Sequence, residues 1–198
     1  GTNNYQAGVM GGRLAAAKLN GKGNVVVFTI SGQTNVADRL NGYKEVFAAH
    51  PGVKITEVID IHGDPRIAFD RTLEMIQKQR DMVDAFISLE AQSGSEVAEV
   101  LDREKIQGKL VVAMDTTGTT LEWIEKGRIA GTISQKPFTM AYYGLKMLAD
   151  LKLYPLRSMT LNFTQDSRST LPAFVDTGST VVDKSNVVAY RHPVEATK

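Results

Sequence analysis

NVVVFTI (24–30), followed by SGQTNVADRLNGYKEVFAAH (31–50), decides the fold. The nearly continuous apolar run from Val25 to Ile30, rich in β-branched types, reads as a strand buried on both faces. The SGQ that follows is a tight turn. NVADRLNGYKEVFAAH (35–50) places Val36, Leu40, Tyr43, Val46 and Phe47 on one helical face, and Pro51-Gly52 stops that helix. Strand, short loop and helix in this order form the first half of a parallel βαβ unit.

The same alternation continues in both directions. Upstream, YQAGVMGGRLAAAKL (5–19) reads as an Ala-rich helix with a small-residue face, and MGGRLA within it reads as close packing. Downstream, strands are expected at 53–60, 84–89, 109–115 and 129–135, and helices at 64–80, 93–106, 119–127 and 138–151. Pro65 occupies a first-turn position, where its missing N–H costs nothing. Ser93 or Ser95 is expected to cap the helix over 93–106, and Gly127 ends the short helix before it. SMTLNFT (158–164) reads as a strand, and the tail from Pro172 mixes loop and short strand. Five alternations call for a three-layer αβα fold with a mostly parallel, doubly wound sheet.

Composition narrows the function. The 198 residues are 42% hydrophobic and 23% charged, with Lys+Arg 23 against Asp+Glu 22. A net charge of +1 asks for neither nucleic acid nor an anionic membrane. No stretch reaches the roughly 18 apolar residues of a membrane span, and GTNNYQAGV (1–9) does not read as a signal peptide. The absence of cysteine removes disulfides, thiol nucleophiles and cysteine-ligated metals. No G-x-G-x-x-G follows the first strand, SGQTN lacks a G-K-[ST] ending, and no G-x-S-x-G elbow exists. His50, His62 and His192 have no ligand spacing. No cofactor, metal or catalytic residue is expected.

In an open parallel sheet, ligands bind outside the carboxyl ends of the strands. The residues there are Asn35 and Arg39 after the first strand, His62 and Asp64 after the second, Glu90 after the third, Asp115 after the fourth and Gln135 after the fifth. Carboxylates accept, a guanidinium donates in a fork and an amide does both. That set suits a polyhydroxylated ligand, and a phosphate would want donors only. Each residue also has a plain structural role open to it. Arg39 could pair with Asp38 or run to solvent, at a cost of roughly a few tenths of a kcal/mol near a positive helix end. Asp115 could cap the turn over 116–119, Glu90 could lie in a surface loop, Asp64 could be the N-cap before Pro65, and Gln135 could simply leave its strand.

SGQTNVADRLNGYKEVF, VVAMDTT, EKGRIAGTISQKP and FVDTGSTVVDKSNV resemble the periplasmic sugar-binding proteins of the ribose/galactose type, the class I solute-binding proteins of ABC importers. Sugar-regulated repressors of the lac type share that fold. The resemblance covers nearly the whole chain and includes R-x-x-G-[FY] at Arg39–Tyr43. It implies that Arg39 donates to sugar oxygens, that Asp115 accepts from hydroxyls, that Gln135 lies at a hinge crossing, and that Asn35 lines the same wall. Leu89-Glu90 stands where the ribose type has asparagine, and Asp64 where it has an aromatic. The implied site is more acidic and less stacking, for a monosaccharide or polyol other than ribose, and it admits an amino group.

The resemblance further implies a periplasmic or membrane-tethered receptor that meets a permease. GTNNYQAG resembles the entry into the family's second lobe, so the first lobe is expected to be missing. Residues 1–135 with 171–198 are then the sugar-binding lobe, and 136–170 the segment that returns to the absent one. The helix over 138–151 would expose Phe138, Tyr142, Leu145 and Leu148, and is expected to repack, disorder or form a homodimer. Two other functions are left open: the effector core of a sugar-responsive regulator, and a small flavodoxin-like or sugar-modifying enzyme using His62 with Asp64 or Glu90.

Overall fold

A computed structural model describes residues 1–154 and 172–191. The expected strand over 158–164 and His192 lie outside the described residues. The chain divides into two compact units: Asn4–Ser134 with Thr180–Lys198, and Gly1–Asn3 with Gln135–Ser179.

The larger unit holds one six-stranded sheet in the order β2-β1-β3-β4-β5-β6. Its strands are β1 (Lys22–Thr29), β2 (Gly52–Asp60), β3 (Ala85–Ser88), β4 (Leu110–Met114), β5 (Gly131–Ser134) and β6 (Thr180–Asp183). The first five are parallel, and β6 returns antiparallel to β5. β1 sits between β2 and β3, and this is why its whole second half is buried, as the apolar run at 24–30 requires.

Successive β1 side chains face opposite layers. Val25 and Val27 pack under α1 (Asn4–Lys18) and α2 (Thr34–Ala48). Val26 and Phe28 pack under α3 (Pro65–Lys78), α4 (Ser93–Arg103) and α5 (Gly118–Glu125). Phe28 and Phe86 stack at 6.3 Å between ring centroids in the second layer. Burying such a side chain contributes roughly 1.5–3 kcal/mol. α7 (Val188–Arg191) closes the described part of the tail.

β2 is an edge strand. Thr56 bulges out of its register opposite Val25 and Val26, and its hydroxyl donates to the Val25 carbonyl at 3.2 Å. A bulge twists an edge away from further pairing. Arg71 bonds Glu57 on the same strand at 2.7 Å.

The small face expected on α1 meets α2. A Cβ on Gly8 would lie 2.0 Å from the Arg39 carbonyl oxygen, and one on Gly42 would lie 2.2 Å from the Tyr5 carbonyl oxygen. Only hydrogen fits at either position, so the two helices touch backbone to backbone.

In the smaller unit, α6 (Pro137–Leu153) is a formed helix with no buried residue. Phe138, Leu145 and Leu148 are 83%, 68% and 65% exposed. Of the three outcomes expected for this segment, repacking, disorder or a homodimer, disorder is not what Pro137–Leu153 shows. The Gly1 carbonyl accepts from the Thr177 N–H at 3.0 Å, and the Thr2 hydroxyl donates to Gln135 Oε1 at 2.8 Å.

Candidate functional site

Arg39 lies in the second turn of α2, not its first, so the helix dipole that decays within one turn is a minor influence on it. Nor does it run to solvent. The residue is only 5% exposed. Its Nη1 donates to the Leu89 carbonyl at 2.7 Å, and its Nε donates to Asn4 Oδ1 at 3.0 Å. Both partners are neutral oxygens. A guanidinium has five N–H donors, so three remain for other acceptors. Burial lowers the Arg39 pKa, and the charges of Asp115 and Glu90 partly offset that. A buried cation on neutral partners is costly. A cost of this kind makes Arg39 a candidate for a binding role.

Leu89 is where it is because its N–H bonds the Phe28 carbonyl at 3.1 Å, extending the β1–β3 ladder by one residue. Its carbonyl thus emerges at the carboxyl edge of the sheet, where Arg39 reaches it.

Glu90 follows directly. Its Oε2 accepts from the Gln92 N–H and its Oε1 from the Ser93 N–H, both at 2.8 Å. The hydroxyls of Ser88 and Ser93 also point to Oε1. The carboxylate therefore caps α4, and neither Ser93 nor Ser95 does. Glu90 is no bare surface-loop residue, since helix donors and hydroxyls occupy its oxygens.

Asp115 leaves β4 with φ +68°, a left-handed conformation that aspartate tolerates better than most residues. Its N–H bonds the Ile133 carbonyl at 2.9 Å, and its own carbonyl accepts from the Thr132 hydroxyl at 2.7 Å. It does not cap α5. Thr117 does, accepting from the Thr120 N–H at 3.2 Å. The backbone of Asp115 is thereby fixed between β4 and β5, and its charge is felt at Arg39.

Asp64 takes up the capping role open to it, accepting from the Arg66 N–H at 3.0 Å at the start of α3. That helix is on the opposite face of the sheet from α2. Asn35 is exposed one turn before Arg39. Gln135 belongs to the smaller unit, where it bonds Thr2. His62 is exposed, also left-handed at φ +50°, and its Nδ1 lies 3.3 Å from Asp60. It therefore pairs with neither Asp64 nor Glu90, the partners considered for it in an enzyme.

The gathered set is Arg39, Asp115 and Glu90, from the ends of three different strands. A cavity of about 400 Å³ lies on the α3–α5 side, lined by Pro65, Gln92, Glu96, Thr117 and others, with none of the expected ligand residues among its lining. Among the described residues, no group of three His, Asp or Glu side chains could hold a metal ion. Asn4 was not expected at the site. Its side-chain role arises from the approach of α1 to α2 and leaves no local signal.

A family model described as a periplasmic binding protein domain matches residues 1–153. The chain belongs to the periplasmic binding protein family. Among solved structures, this periplasmic binding protein is similar to AraP, an arabinose-binding protein from Geobacillus stearothermophilus, at 31% identity and a TM-score of 0.80. It is similar to a sugar ABC transporter sugar-binding protein from Bacillus halodurans at 30% and 0.84, and to a solute-binding protein from Burkholderia graminis in complex with D-arabinose at 26% and 0.82. These alignments cover 96% of this chain, and 64%, 65% and 63% of the three structures' chains respectively. No curated protein matches the chain. Members of the family are periplasmic or extracellular. No helix among the described residues is long and apolar enough to cross a membrane.

Proposed function

We propose that the chain is the solute-binding component of an ABC sugar importer, and that it binds a monosaccharide or related polyol non-covalently, without catalysis. The observation that carries this is Arg39: a buried guanidinium at the carboxyl edge of the sheet, held by two neutral oxygens, with three N–H donors to spare. A sugar oxygen accepts from that fork, and Asp115 accepts from a neighbouring hydroxyl. A donor, and an acceptor near enough for its charge to be felt at the guanidinium, match the dual character of each hydroxyl. The nearby aspartate disfavours a dianionic ligand such as a phosphate.

Asn35 and Gln135 are proposed as further ligand residues on the family resemblance, and Asp64 on its place after the end of β2. Glu90 acts from behind, through the loop that presents Leu89. The sheet-bearing unit is the body of the sugar-binding lobe, and residues 136–170 belong with a second one. The protein works in the periplasm or tethered outside the cell, where it hands its ligand to a membrane permease. The exposed face of α6 supports a homodimer through residues 138–151.

The test is a panel of pentoses, hexoses, amino sugars and polyols titrated into labelled protein, with amide shifts as readout. That method detects millimolar binding, about −4 kcal/mol. Shifts centred on Arg39, Leu89 and Asp115 for one sugar class are expected, and their loss in Arg39→Met with the fold retained. Silence from the whole panel rejects the proposal.

A further inference from the structure

Asn4 is the first residue of α1, thirty-five positions before Arg39, and its Oδ1 takes the Arg39 Nε–H at 3.0 Å. The bond depends on the α1–α2 contact. With Gly8 seated on the Arg39 carbonyl and Gly42 on that of Tyr5, the first turn of α1 is drawn over the Arg39 side chain. The short amide of Asn4 then reaches the guanidinium.

The choice of an amide has a chemical consequence. An aspartate here would form a charge-assisted bond with Arg39, roughly twice as strong as a neutral one, and would commit the cation to the protein. An alanine would leave Nε without its partner and the guanidinium held through Nη1 alone. An asparagine fixes Nε and the plane of the group, yet neutralises nothing. Leu89 does the same for Nη1. The positive charge and the remaining donors stay directed at whatever binds.

We propose that Asn4 is a positioning residue of the sugar site, one that orients Arg39 while leaving its charge for ligand oxygens. This rests on the sugar-binding reading above, which assigns Arg39 to the ligand. It names a specificity device: a neutral acceptor at position 4 keeps the site selective for ligands rich in lone pairs.

The experiment uses the full chain, labelled with nitrogen-15, in wild type, Asn4→Ala and Asn4→Asp forms. The Arg39 Nε–H signal is assigned by its disappearance in Arg39→Lys. Its hydrogen exchange is expected to be slow in wild type, to quicken at least about tenfold in Asn4→Ala, and to stay slow in Asn4→Asp. D-arabinose is the binding probe. Its affinity is expected to fall about tenfold in Asn4→Asp, with no loss of melting temperature, because an acidic residue in a first helical turn is favourable. A merely structural asparagine would not separate affinity from stability in this way. Slow exchange persisting in Asn4→Ala overturns the positioning role, and equal affinity in wild type and Asn4→Asp overturns the charge argument. If the wild type binds neither D-arabinose nor any sugar of the panel, the sugar-site reading fails, while the exchange rates still decide whether Asn4 holds Arg39.

Discussion

Glu90 holds the N-terminus of α4 through the backbone N–H of Ser93, at 2.8 Å. The same residue directly follows Leu89, whose carbonyl receives Arg39. One carboxylate thus serves two ends: it satisfies orphan helix donors, and it fixes the loop on which the Arg39 acceptor sits. Glu90→Ala removes the cap and is expected to cost about 1–2 kcal/mol in urea unfolding. Glu90→Gln keeps an acceptor and should cost less than half of that. If neither change moves the unfolding midpoint, the cap is not a significant contributor.

The contact between Gly8 and the Arg39 carbonyl yields a second expectation. A methyl group there meets backbone 2.0 Å away, and backbone cannot swing aside as a side chain could. Gly8→Ala is expected to force α1 and α2 apart, at roughly 1–3 kcal/mol. Gly118→Ala is the control, since a Cβ there meets nothing within 4 Å and φ is not left-handed. It should be neutral or slightly stabilising through helix propensity. Thermal unfolding of the two variants separates a packing constraint from a general intolerance of glycine replacement.

The strand–helix order, the buried β1 and the edge where the ligand residues gather were legible in the sequence, because each rests on local periodicity. VVVF fills both layers of the core, and its alternation assigns Val25 and Val27 to one face and Val26 and Phe28 to the other. Asp64 before Pro65 was legible as a cap for the same reason. Other features were set by tertiary contact and were not. Arg39 falls on the buried face of α2, three residues after Val36 and four before Tyr43, but its charge argues for solvent, and only the tertiary contacts with Leu89 and Asn4 decide for burial. Asn4 acquires its role through a helix–helix approach. The capping of α4 fell to Glu90 rather than to the serines because it precedes the helix and its longer side chain reaches forward to the N–H groups of Gln92 and Ser93. The antiparallel return of β6 depends on a chain path that four residues of TVVD cannot specify.

Stability against pH should show two opposed contributions. The Ser31 hydroxyl first, and then the His62 N–H, hold the Asp60 carboxyl below its usual range. A depressed carboxylate contributes fully above its unfolded value near 3.9 and loses that contribution as pH falls through the folded value. Glu96 runs the other way. Burial, then the charge of Glu99, raises its pKa, so its stability contribution is present below the unfolded value near 4.3 and is lost as pH rises through the folded one. Asp60→Asn is therefore expected to lower the melting temperature at pH 7 and to lose that effect by about pH 2. Glu96→Gln should raise it at pH 7 and leave it nearly unchanged at about pH 4. Melting curves across this range check both signs. A Glu96→Gln gain that persists undiminished in acid would remove burial of the charge as its cause.

The last prediction concerns α6. Phe138, Tyr142, Leu145 and Leu148 recur at spacings of four, three and three, which lays them along one face, and all four are exposed. Most helical stability in proteins comes from packing an apolar face rather than from propensity, and no residue of this helix is buried. Covering four such side chains would contribute roughly 1.5–3 kcal/mol each, and a second copy of the same face does so with two-fold symmetry. The light-scattering mass is expected to rise towards twice the chain mass with concentration. Leu145→Glu should hold it at the monomer value, because the symmetric contact would bury a carboxylate on each side. The variant should leave sugar titrations at Arg39 unchanged. A wild-type mass that stays monomeric at every concentration would remove the homodimer and leave α6 to be covered by other protein surface.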